Sequence, residues 1–350
     1  MVSEAKFRHE FVFDWEVEMR TFCLITSVVL LCAATGCPRL QAQDKREIPR
    51  AETTAPKHDQ DSSGIPKPLI DAKTLAELLS DQNVRVVELG DNKAAFRKAH
   101  IPGAVFLHWV DDIIDPATSD RYNLINKVDM EKLLSSLGVQ SDSRIVVYDA
   151  LSSRLSTRFY WSLKYYNHAR VHVLDGGREA WVRAGGEMTD EVSNFKPSMY
   201  RIKSVNKNYA ADMSFIAANL KNRKVTFVDG RPPAQYSGKE VGKVFHTGKV
   251  HQKKGHIPGA VHVFWKDNFH ENGIFKSPEA LAKLYRDRGV SPDNTVITYC
   301  NEGLHAAPPW FVLRELLGYD DVRVYDDSMS EWANSRQPVE QGQPHAINSK

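Results

Sequence analysis

The sequence predicts an α/β protein made of two tandem copies of one domain, each a mainly parallel sheet covered by helices on both faces. The first observation behind this prediction is an internal repeat. Three blocks recur in the same order: AHIPGAVFLHW (99–109) and GHIPGAVHVFW (255–265), GVQSDSRIVVYD (138–149) and GVSPDNTVITYC (289–300), and VHVLDGGREAW (171–181) and VRVYDDSMSEW (322–332). The last two pairs share one offset (289 − 138 = 322 − 171 = 151). Chance does not keep three blocks in order with nearly constant spacing, so the chain holds one domain twice.

The second observation is the alternation of short apolar runs with helical patterns. The runs predict buried strands and the patterns predict helices, with the strands at Val84–Leu89, Ile145–Tyr148 and Val171–Leu174 and the helices at Ala72–Ser80, Val128–Leu137 and Leu155–Tyr166. Strands that alternate with helices favour a parallel sheet covered on both faces. Ligands of such sheets bind beyond the carboxyl ends of the strands. In both copies an Ile-Pro-Gly sequence, at 101–103 and 257–259, predicts a type II turn.

The repeat divides the chain into six segments. They are an export signal (1–37), a flexible tether (38–64), the first domain (65–190), an interdomain linker (191–210), the second domain (211–340) and a tail (341–350). A polar insertion at 237–254 lies in the second domain and could cover or rim a site there.

The N-terminal segment has the features of an export signal. Arg20 precedes 16 uncharged residues, Thr21–Gly36, which is short for a spanning helix but typical of the apolar part of a secretory signal. The sequence Ala34-Thr35-Gly36-Cys37 resembles the lipobox of bacterial lipoproteins, with Ala34 where leucine is usual. We therefore predict that translation starts at Met19, that Cys37 is lipidated, and that the body lies in the periplasm or cell envelope. An uncleaved N-terminal anchor is the alternative.

Composition excludes several classes of protein. Hydrophobic residues make up 42% of the chain and charged residues 26%, as in globular proteins. The formal net charge is +2 and no basic face is concentrated, so we expect no nucleic-acid partner. Three of the four cysteines, Cys23, Cys32 and Cys37, lie near the start, which excludes a disulfide scaffold for the body. The histidines between 251 and 270 lack metal-ligand spacing, so we predict no metal and no cofactor.

Cys300 is the candidate nucleophile. It follows a β-branched strand and precedes a helix with an apolar stripe, so loop N–H groups and the helix N-terminus should point at its sulfur. We expect this loop to stabilise a thiolate, with its amides contributed by Asn301, Glu302, Gly303, Leu304, His305 and Ala306. Pro308 and Pro309 fit the start of the helix. The alternative interpretation of Cys300 is a buried structural cysteine.

These motifs resemble the rhodanese family, specifically its tandem two-domain sulfurtransferases. The resemblance covers roughly 65–340 and rests on HIPGA in both copies, Tyr299-Cys300, Gly303, and the pairs Asp175/Trp181 and Asp326/Trp332. It implies that the first domain is catalytically inactive, because Asp149 holds the position of Cys300. It also implies that Arg158 reaches from the first domain into a shared cleft and binds substrate.

The resemblance implies sulfur transfer in two steps. The Cys300 thiolate takes a sulfane sulfur from a small anionic donor, thiosulfate or 3-mercaptopyruvate, and the persulfide passes it to cyanide or a thiol. Membrane contact is expected only through an N-terminal lipid or signal anchor. The loop Asn301–His305 departs from the family's usual sequences, so we expect at most modest donor preference. We expect Glu302 to point outward or to pair with His305 or another base.

Other interpretations of these residues remain open. His100 and His256 precede Ile-Pro-Gly in both copies, which favours a structural role over acid–base catalysis. Arg231 is interpreted as the ion-pair partner of Asp229, with anion binding as the alternative. Phosphatase chemistry is disfavoured because Ala306 stands where its phosphate-binding arginine would be. A persulfide carrier without turnover and a structural protein with an inert Cys300 are the competing functions.

Overall fold

Each copy of the repeat folds into a five-stranded parallel sheet. The computed structural model describes residues 67–118, 123–150, 152–245 and 247–342. The predicted signal with Cys37, the tether and most of the tail lie outside the described residues, so the predictions made for them remain predictions.

The first sheet has the strand order β1-β5-β4-β2-β3, and every neighbouring pair is parallel. Its elements in chain order are β1 (Leu69–Ile70), α1 (Ala72–Leu78), β2 (Val84–Gly90), α2 (Lys93–Lys98), β3 (Ala104–His108), α3 (Lys127–Ser136), β4 (Arg144–Asp149), α4 (Arg154–Tyr165), β5 (Val171–Leu174) and α5 (Gly177–Arg183). The central strand β4 is apolar and buried from 145 to 148, as a strand covered on both faces requires.

The second sheet repeats this order as β6-β10-β9-β7-β8, again with parallel neighbours. Its elements are β6 (Ala210–Ala211), α6 (Met213–Asn219), β7 (Val225–Asp229), α7 (Pro233–Tyr236), β8 (Val261–His262), α8 (Pro278–Arg286), β9 (Thr295–Tyr299), α9 (Ala307–Phe311), β10 (Val322–Tyr325) and α10 (Ser328–Trp332). A π-helical turn, Val312–Leu316, continues α9. The predicted fold class is therefore confirmed.

The two Ile-Pro-Gly sequences form the predicted turns. In each, the fourth residue donates its N–H to the isoleucine carbonyl at 3.0 Å, and Gly103 and Gly259 have φ values of +79° and +75°. Only glycine adopts such a φ without strain, whereas the preceding proline already has its φ set. These turns lead the chain into β3 and towards β8.

The histidines before these turns hold local structure together. Nδ1 of His100 lies 2.7 Å from the carbonyl oxygen of Phe96, and Nδ1 of His256 lies 2.8 Å from that of Tyr236. Each ring also stacks on the aromatic ring of the same partner, at centroid distances of 3.9 Å and 3.8 Å. Both histidines are buried. This geometry supports the structural role in both copies.

The two copies pack through α4 and α9 and share one hydrophobic core. Tyr160 on α4 meets Phe311 on α9 edge to face, with ring centroids 4.9 Å apart. This packing places the N-termini of both helices, and the loops that lead into them, side by side. Among the residues that the structure describes, no helix is both long enough and apolar enough to span a membrane.

Two reciprocal hydrogen bonds join the copies. The carboxylate of Asp175, just after β5, accepts the N–H of Phe275 at 3.0 Å. Asp326, just after β10, accepts the N–H of Leu124 at 2.7 Å. The two acceptors, Asp175 and Asp326, are 151 positions apart, and so are the two donors, Leu124 and Phe275 (326 − 175 = 275 − 124 = 151). The aspartates of the repeated Asp/Trp motif therefore form equivalent contacts across the interface.

Candidate active site

Cys300 lies at the carboxyl end of β9, in the middle of the second sheet. Its Sγ accepts the backbone N–H of Glu302 at 3.4 Å and of His305 at 3.2 Å. A short 3-10 turn, Leu304–Ala306, then leads into α9, whose first turn contains Pro308 and Pro309. The loop amides therefore surround the sulfur as predicted, and the prolines stand where missing N–H groups are tolerated.

The Cys300 thiol is nevertheless buried and hard to ionise. It is 1% exposed, and burial together with the charge of Glu302 raises its pKa to about 11, although the loop amides act in the opposite direction. The expectation that this site favours the thiolate at rest is therefore wrong. Burial penalises the charged form more than the amides stabilise it.

Glu302 points into the protein. Its side chain is 3% exposed, and Oε2 accepts the backbone N–H of Phe245 at 2.8 Å. Burial raises the pKa of this carboxyl to about 7, while the Phe245 N–H and the charges of Arg154 and Arg158 lower it. The expected outward orientation is wrong, and the hydrogen-bond partner is a main-chain amide, not His305.

The polar insertion forms a finger, residues 242–245 and 247–251, that covers the active-site loop. Its two sides are joined by hydrogen bonds from the His251 N–H to the Gly242 carbonyl and from the Val244 N–H to the Lys249 carbonyl, both at 2.9 Å. Nε2 of His251 lies 3.2 Å from Oδ1 of Asn301. A Cβ on Gly242 would lie 2.6 Å from that same oxygen, so glycine is needed for this approach. The insertion covers the site, as the sequence suggested.

The first copy closes the site from the other side. The Phe245 ring lies 6.3 Å from the Trp109 ring, and the Arg154 guanidinium lies 5.7 Å from the centroid of the Phe245 ring. Arg154 also places Nη1 3.4 Å from Nε2 of His305. The His305 ring stacks on Trp265 at 4.8 Å. Burial and the nearby cations lower the pKa of His305, which keeps this imidazole neutral.

A cavity of about 490 Å³ adjoins this aromatic pair. The first copy contributes Ser152 and Arg154 to its lining, and the second contributes Trp265, Lys266, Phe269, His270, Glu271 and Gly273. Its volume is in the range of small-molecule sites. Arg154 and Lys266 place two positive charges beside aromatic walls, and Glu271 places one negative charge there, so the fixed charge of the lining is net positive.

Arg158 lies against the active-site loop and contacts a carboxylate there. It is 1% exposed and donates from Nη1 to Oδ1 of Asp326 at 2.5 Å. A Cβ on Gly303 would lie 2.3 Å from that oxygen and 3.0 Å from Nη1 of Arg158. Arg158 therefore reaches the second copy as predicted, but its observed partner is Asp326. Sequence reasoning singled out Asp326 as a repeated motif residue and missed this contact, because the two residues belong to different copies.

The first copy contains the same loop with a different residue at its head. The Asp149 carboxylate accepts backbone N–H groups of Ser153, Leu155 and Ser156 at 2.9–3.1 Å. Burial raises the pKa of Asp149, and these amides oppose that rise. The loop amides of the first copy are therefore occupied by its own carboxylate.

Arg231 forms a buried ion pair with Asp229. Its Nε and Nη2 both contact the carboxylate, with the shortest distance 2.6 Å, and Nη2 also donates to the Gly255 carbonyl at 2.8 Å. Arg231 is 1% exposed, so the geometry supports the structural interpretation. Over the described ranges, no three His, Cys, Asp or Glu side chains are grouped so that they could hold a metal ion.

The fold and the site define a class of protein: tandem α/β domains in which only the second presents a cysteine to inward-pointing loop amides. The chain belongs to the rhodanese family, since the model of the rhodanese-like domain matches residues 71–184 and 213–335.

Individual relatives and solved structures agree with this assignment. A Haloferax volcanii protein named "Putative thiosulfate sulfurtransferase" is 35% identical over 263 residues, which are 75% of this chain and 90% of that protein. The sulfur carrier protein TtuD of Thermus thermophilus is 32% identical over 272 residues, 77% of this chain and 94% of TtuD. SseA from Escherichia coli, described as a 3-mercaptopyruvate sulfotransferase, superimposes with a TM-score of 0.66 at 24% identity, covering 75% of this chain and 98% of SseA. The last likeness concerns the fold alone.

Proposed function

We propose that this chain is a sulfurtransferase that carries a sulfane sulfur on Cys300. The observation that carries the proposal is the position of Sγ, which accepts loop N–H groups at the carboxyl end of the central strand β9. These donors can stabilise a negative charge on Cys300 or on a sulfur attached to it. Membership of the rhodanese family and the sulfur-handling names of two relatives support the same chemistry.

The reaction begins with a thiolate. The Cys300 thiolate attacks the outer sulfur of thiosulfate or the thiol sulfur of 3-mercaptopyruvate, and a new S–S bond forms at Cys300 as the donor's bond to that sulfur breaks. Thiosulfate releases sulfite with the electron pair. 3-Mercaptopyruvate releases the enolate of pyruvate, which takes up the proton of the donor's thiol. A thiol or cyanide then removes the sulfur from the persulfide and restores Cys300.

The surroundings suit an anionic donor. Arg154 and Lys266 line the adjoining cavity, and Arg158 contributes positive charge beside Glu302. Lys266 is exposed and Arg154 is half-buried, so water weakens their charges, whereas the charge of the buried Arg158 acts more strongly than it would on the surface. We propose that Arg154 and Lys266 attract the donor, whereas Arg158 holds the loop against Asp326.

A persulfide carrier without turnover is the second candidate. The burial of Cys300 favours it, because a covered persulfide is protected from stray thiols. TtuD, which is 32% identical, is named a sulfur carrier protein. In this role a partner protein would have to open the finger before it could take the sulfur.

Turnover separates the two candidates. Purified protein is incubated with thiosulfate or 3-mercaptopyruvate and cyanide, and thiocyanate is measured for the wild type and for Cys300→Ser. Catalytic thiocyanate formation that disappears in Cys300→Ser supports the enzyme. A single equivalent of persulfide without turnover supports the carrier, and activity retained by Cys300→Ser contradicts both.

Export and lipidation are separate proposals about the N-terminal segment. We propose that Cys37 is acylated and tethers the body at the cell envelope, because small residues precede it after an apolar run. Labelled palmitate should enter the wild type and not Cys37→Ser. Equal labelling of both proteins, or of neither, would contradict lipidation at this cysteine.

A further inference from the structure

The Glu302 carboxylate has no part in the chemistry described so far, although it belongs to the loop that holds the nucleophile. The N–H of Glu302 contacts Sγ, while its side chain is buried and fixed by the N–H of Phe245 at 2.8 Å. The Glu302 charge therefore acts on Sγ, the atom that an anionic donor has to reach. Like charges in a water-excluded site repel more strongly than on a surface.

The two arginines near Glu302 offset the cost of its buried charge only in part. The charged and titratable groups nearby lie on three elements. Arg154 and Arg158 are on α4, Cys300 and His305 are on the same loop as Glu302, and His251 is on the finger with the Phe245 N–H. Asp326 contacts Arg158, and Arg231, which interacts with Cys300, is paired with Asp229. Asp326 already pairs with Arg158, and both histidines are neutral because burial lowers their pKa values.

The charges of Glu302 and Cys300 are coupled. Burial raises the pKa of Glu302 to about 7 despite the two arginines, and the Glu302 charge raises the pKa of Cys300. A proton on one of these groups therefore favours ionisation of the other. At neutral pH the site can hold one negative charge on this pair much more easily than two.

On the basis of the function proposed above, we propose that Glu302 determines which donors react: Cys300 is nucleophilic when Glu302 is protonated, and the site prefers a monoanionic thiosulfonate to dianionic thiosulfate. The size and hydrogen-bonding groups of these two donors are similar, so the charge of Glu302 discriminates between them.

The step balances without an added oxidant or reductant. With the proton on Glu302, the Cys300 thiolate attacks the outer sulfur of R–SO₂–S⁻. The S–S bond to Cys300 forms, the bond between that sulfur and the sulfonyl group breaks, and the sulfinate R–SO₂⁻ leaves with the electron pair. The product is Cys300–S–S⁻, and the total charge is unchanged.

The first test measures the thiol directly and needs no donor. Native protein is alkylated with iodoacetamide across pH 6 to 9, and the Cys300 peptide is followed by mass spectrometry. In the wild type the alkylation rate should rise about tenfold per pH unit up to about pH 7 and then flatten. Above this pH Glu302 becomes ionised, and its charge opposes further deprotonation of Cys300.

The matched variant is Glu302→Gln, which keeps the acceptor for the Phe245 N–H but removes the charge. Its alkylation rate should rise without flattening, so that it matches the wild type at pH 6 and exceeds it on the order of tenfold at pH 8. Glu240→Gln removes an exposed carboxylate of the insertion and should behave like the wild type. A wild-type profile without an inflection near pH 7 would overturn the proposal even if Glu302→Gln failed to fold.

The second test compares methanethiosulfonate with thiosulfate at pH 8. The ratio of kcat/KM values should favour the monoanion in the wild type and fall on the order of tenfold in Glu302→Gln. An unchanged ratio would contradict the proposal. If thiocyanate formation survives in Cys300→Ser, the proposed function fails. If turnover depends on Cys300 but neither pH profile nor donor ratio responds to Glu302, only the inference about Glu302 fails.

Discussion

The loop after β4 and the loop after β9 occupy equivalent places in the two copies and have different residues at their heads. In the first copy the Asp149 carboxylate accepts N–H groups from residues 153–156. In the second copy the Cys300 sulfur accepts them from Glu302 and His305. A carboxylate cannot carry a sulfane sulfur, whereas a thiol can. The fold therefore directs loop N–H groups at this position in both copies, and the side chain there determines whether the position can carry a sulfane sulfur.

The second difference between the loops lies two residues further on. The second copy has Glu302 there, and the first has Leu151, which lies outside the described residues. Glu302 is buried and raises the pKa of Cys300 through its charge. The loop that contains the cysteine therefore carries an added restraint on ionisation of its thiol.

The strongest effect should come from making the second loop like the first. Cys300→Asp should abolish sulfur transfer, a loss of at least about a thousandfold, because the nucleophile is gone. The fold should remain, since the equivalent loop already accommodates a carboxylate. Thiocyanate formation measures the first and thermal unfolding the second. A variant that retained a tenth of the activity would contradict the comparison of the two loops.

The reciprocal contacts across the interface are also unequal. Asp326 accepts the Leu124 N–H and also pairs with the buried Arg158, whereas Asp175 accepts the neutral main-chain N–H of Phe275. Removing one partner of a buried ion pair is more destabilising than removing the acceptor of one neutral donor. We expect Asp326→Ala to lower the free energy of unfolding by about 3 kcal/mol and Asp175→Ala by about 1 kcal/mol.

Urea denaturation of both variants measures this difference. Equal losses would show that Arg158 adds nothing to the second contact. A larger loss for Asp175→Ala would reverse the assignment of the stronger contact.

The charge of Glu302 should appear in stability as well. Its pKa is raised from its ordinary value of 4.5 to about 7 in the folded state, so the folded protein holds this proton more tightly than the unfolded chain does. This stabilisation is complete below pH 4.5 and is lost as the pH rises to about 7. Glu302→Gln lacks this loss and should gain roughly 2 kcal/mol on the wild type between pH 5 and pH 8.

Unfolding in urea at both pH values tests the sign. At each pH, the free energy of unfolding of the wild type is subtracted from that of the variant. The two results are then compared, because an effect of the substitution on packing is the same at both pH values and cancels. A difference that does not vary with pH would show that Glu302 does not titrate in this range.

A weaker effect concerns backbone strain. Ser152 has a φ of +66° where the equivalent residue of the second loop is Gly303, with a φ of +79°. A serine in this region is strained, whereas glycine is not. Ser152→Gly should raise the free energy of unfolding by about 0.5 kcal/mol, which a small rise in melting temperature would show. The gain is small because the greater freedom of glycine in the unfolded chain offsets part of it. A clear loss of stability would show that the serine side chain contributes more than its strain costs.

Much of the fold was predictable because the domain sequence occurs twice and because each helix or strand is indicated by its own local pattern. Helices α1, α3 and α4 begin and end within two residues of the predicted bounds, and the predicted strand Val171–Leu174 is β5 itself. The repeat also showed that Asp149 replaces Cys300. The local patterns were sufficient to predict these helices and this strand, and alignment of the two copies was sufficient to identify Asp149.

The electrostatics of the site were not predictable in the same way. The orientation of Glu302 depends on the finger, which meets the loop through the N–H of Phe245, and no local spacing encodes that contact. The contact between Arg158 and Asp326 joins two copies of the repeat. The raised pKa of Cys300 follows from its burial and from the charge of Glu302, which a sequence pattern does not report.

The most direct test of sulfur loading on Cys300 is to locate the sulfur after a single exposure to donor. Wild type, Cys300→Ser and the double variant Asp149→Cys/Cys300→Ser are incubated with a thiosulfonate, and their cysteine peptides are mapped by mass. We expect one added sulfur on the Cys300 peptide of the wild type and none anywhere in Cys300→Ser. The thiol introduced by Asp149→Cys should also take up sulfur when the double variant is folded, because backbone N–H groups of the first loop also point at the residue in this position. Sulfur on Cys23, Cys32 or Cys37 of the wild type, with none on Cys300, would contradict a nucleophilic role for Cys300.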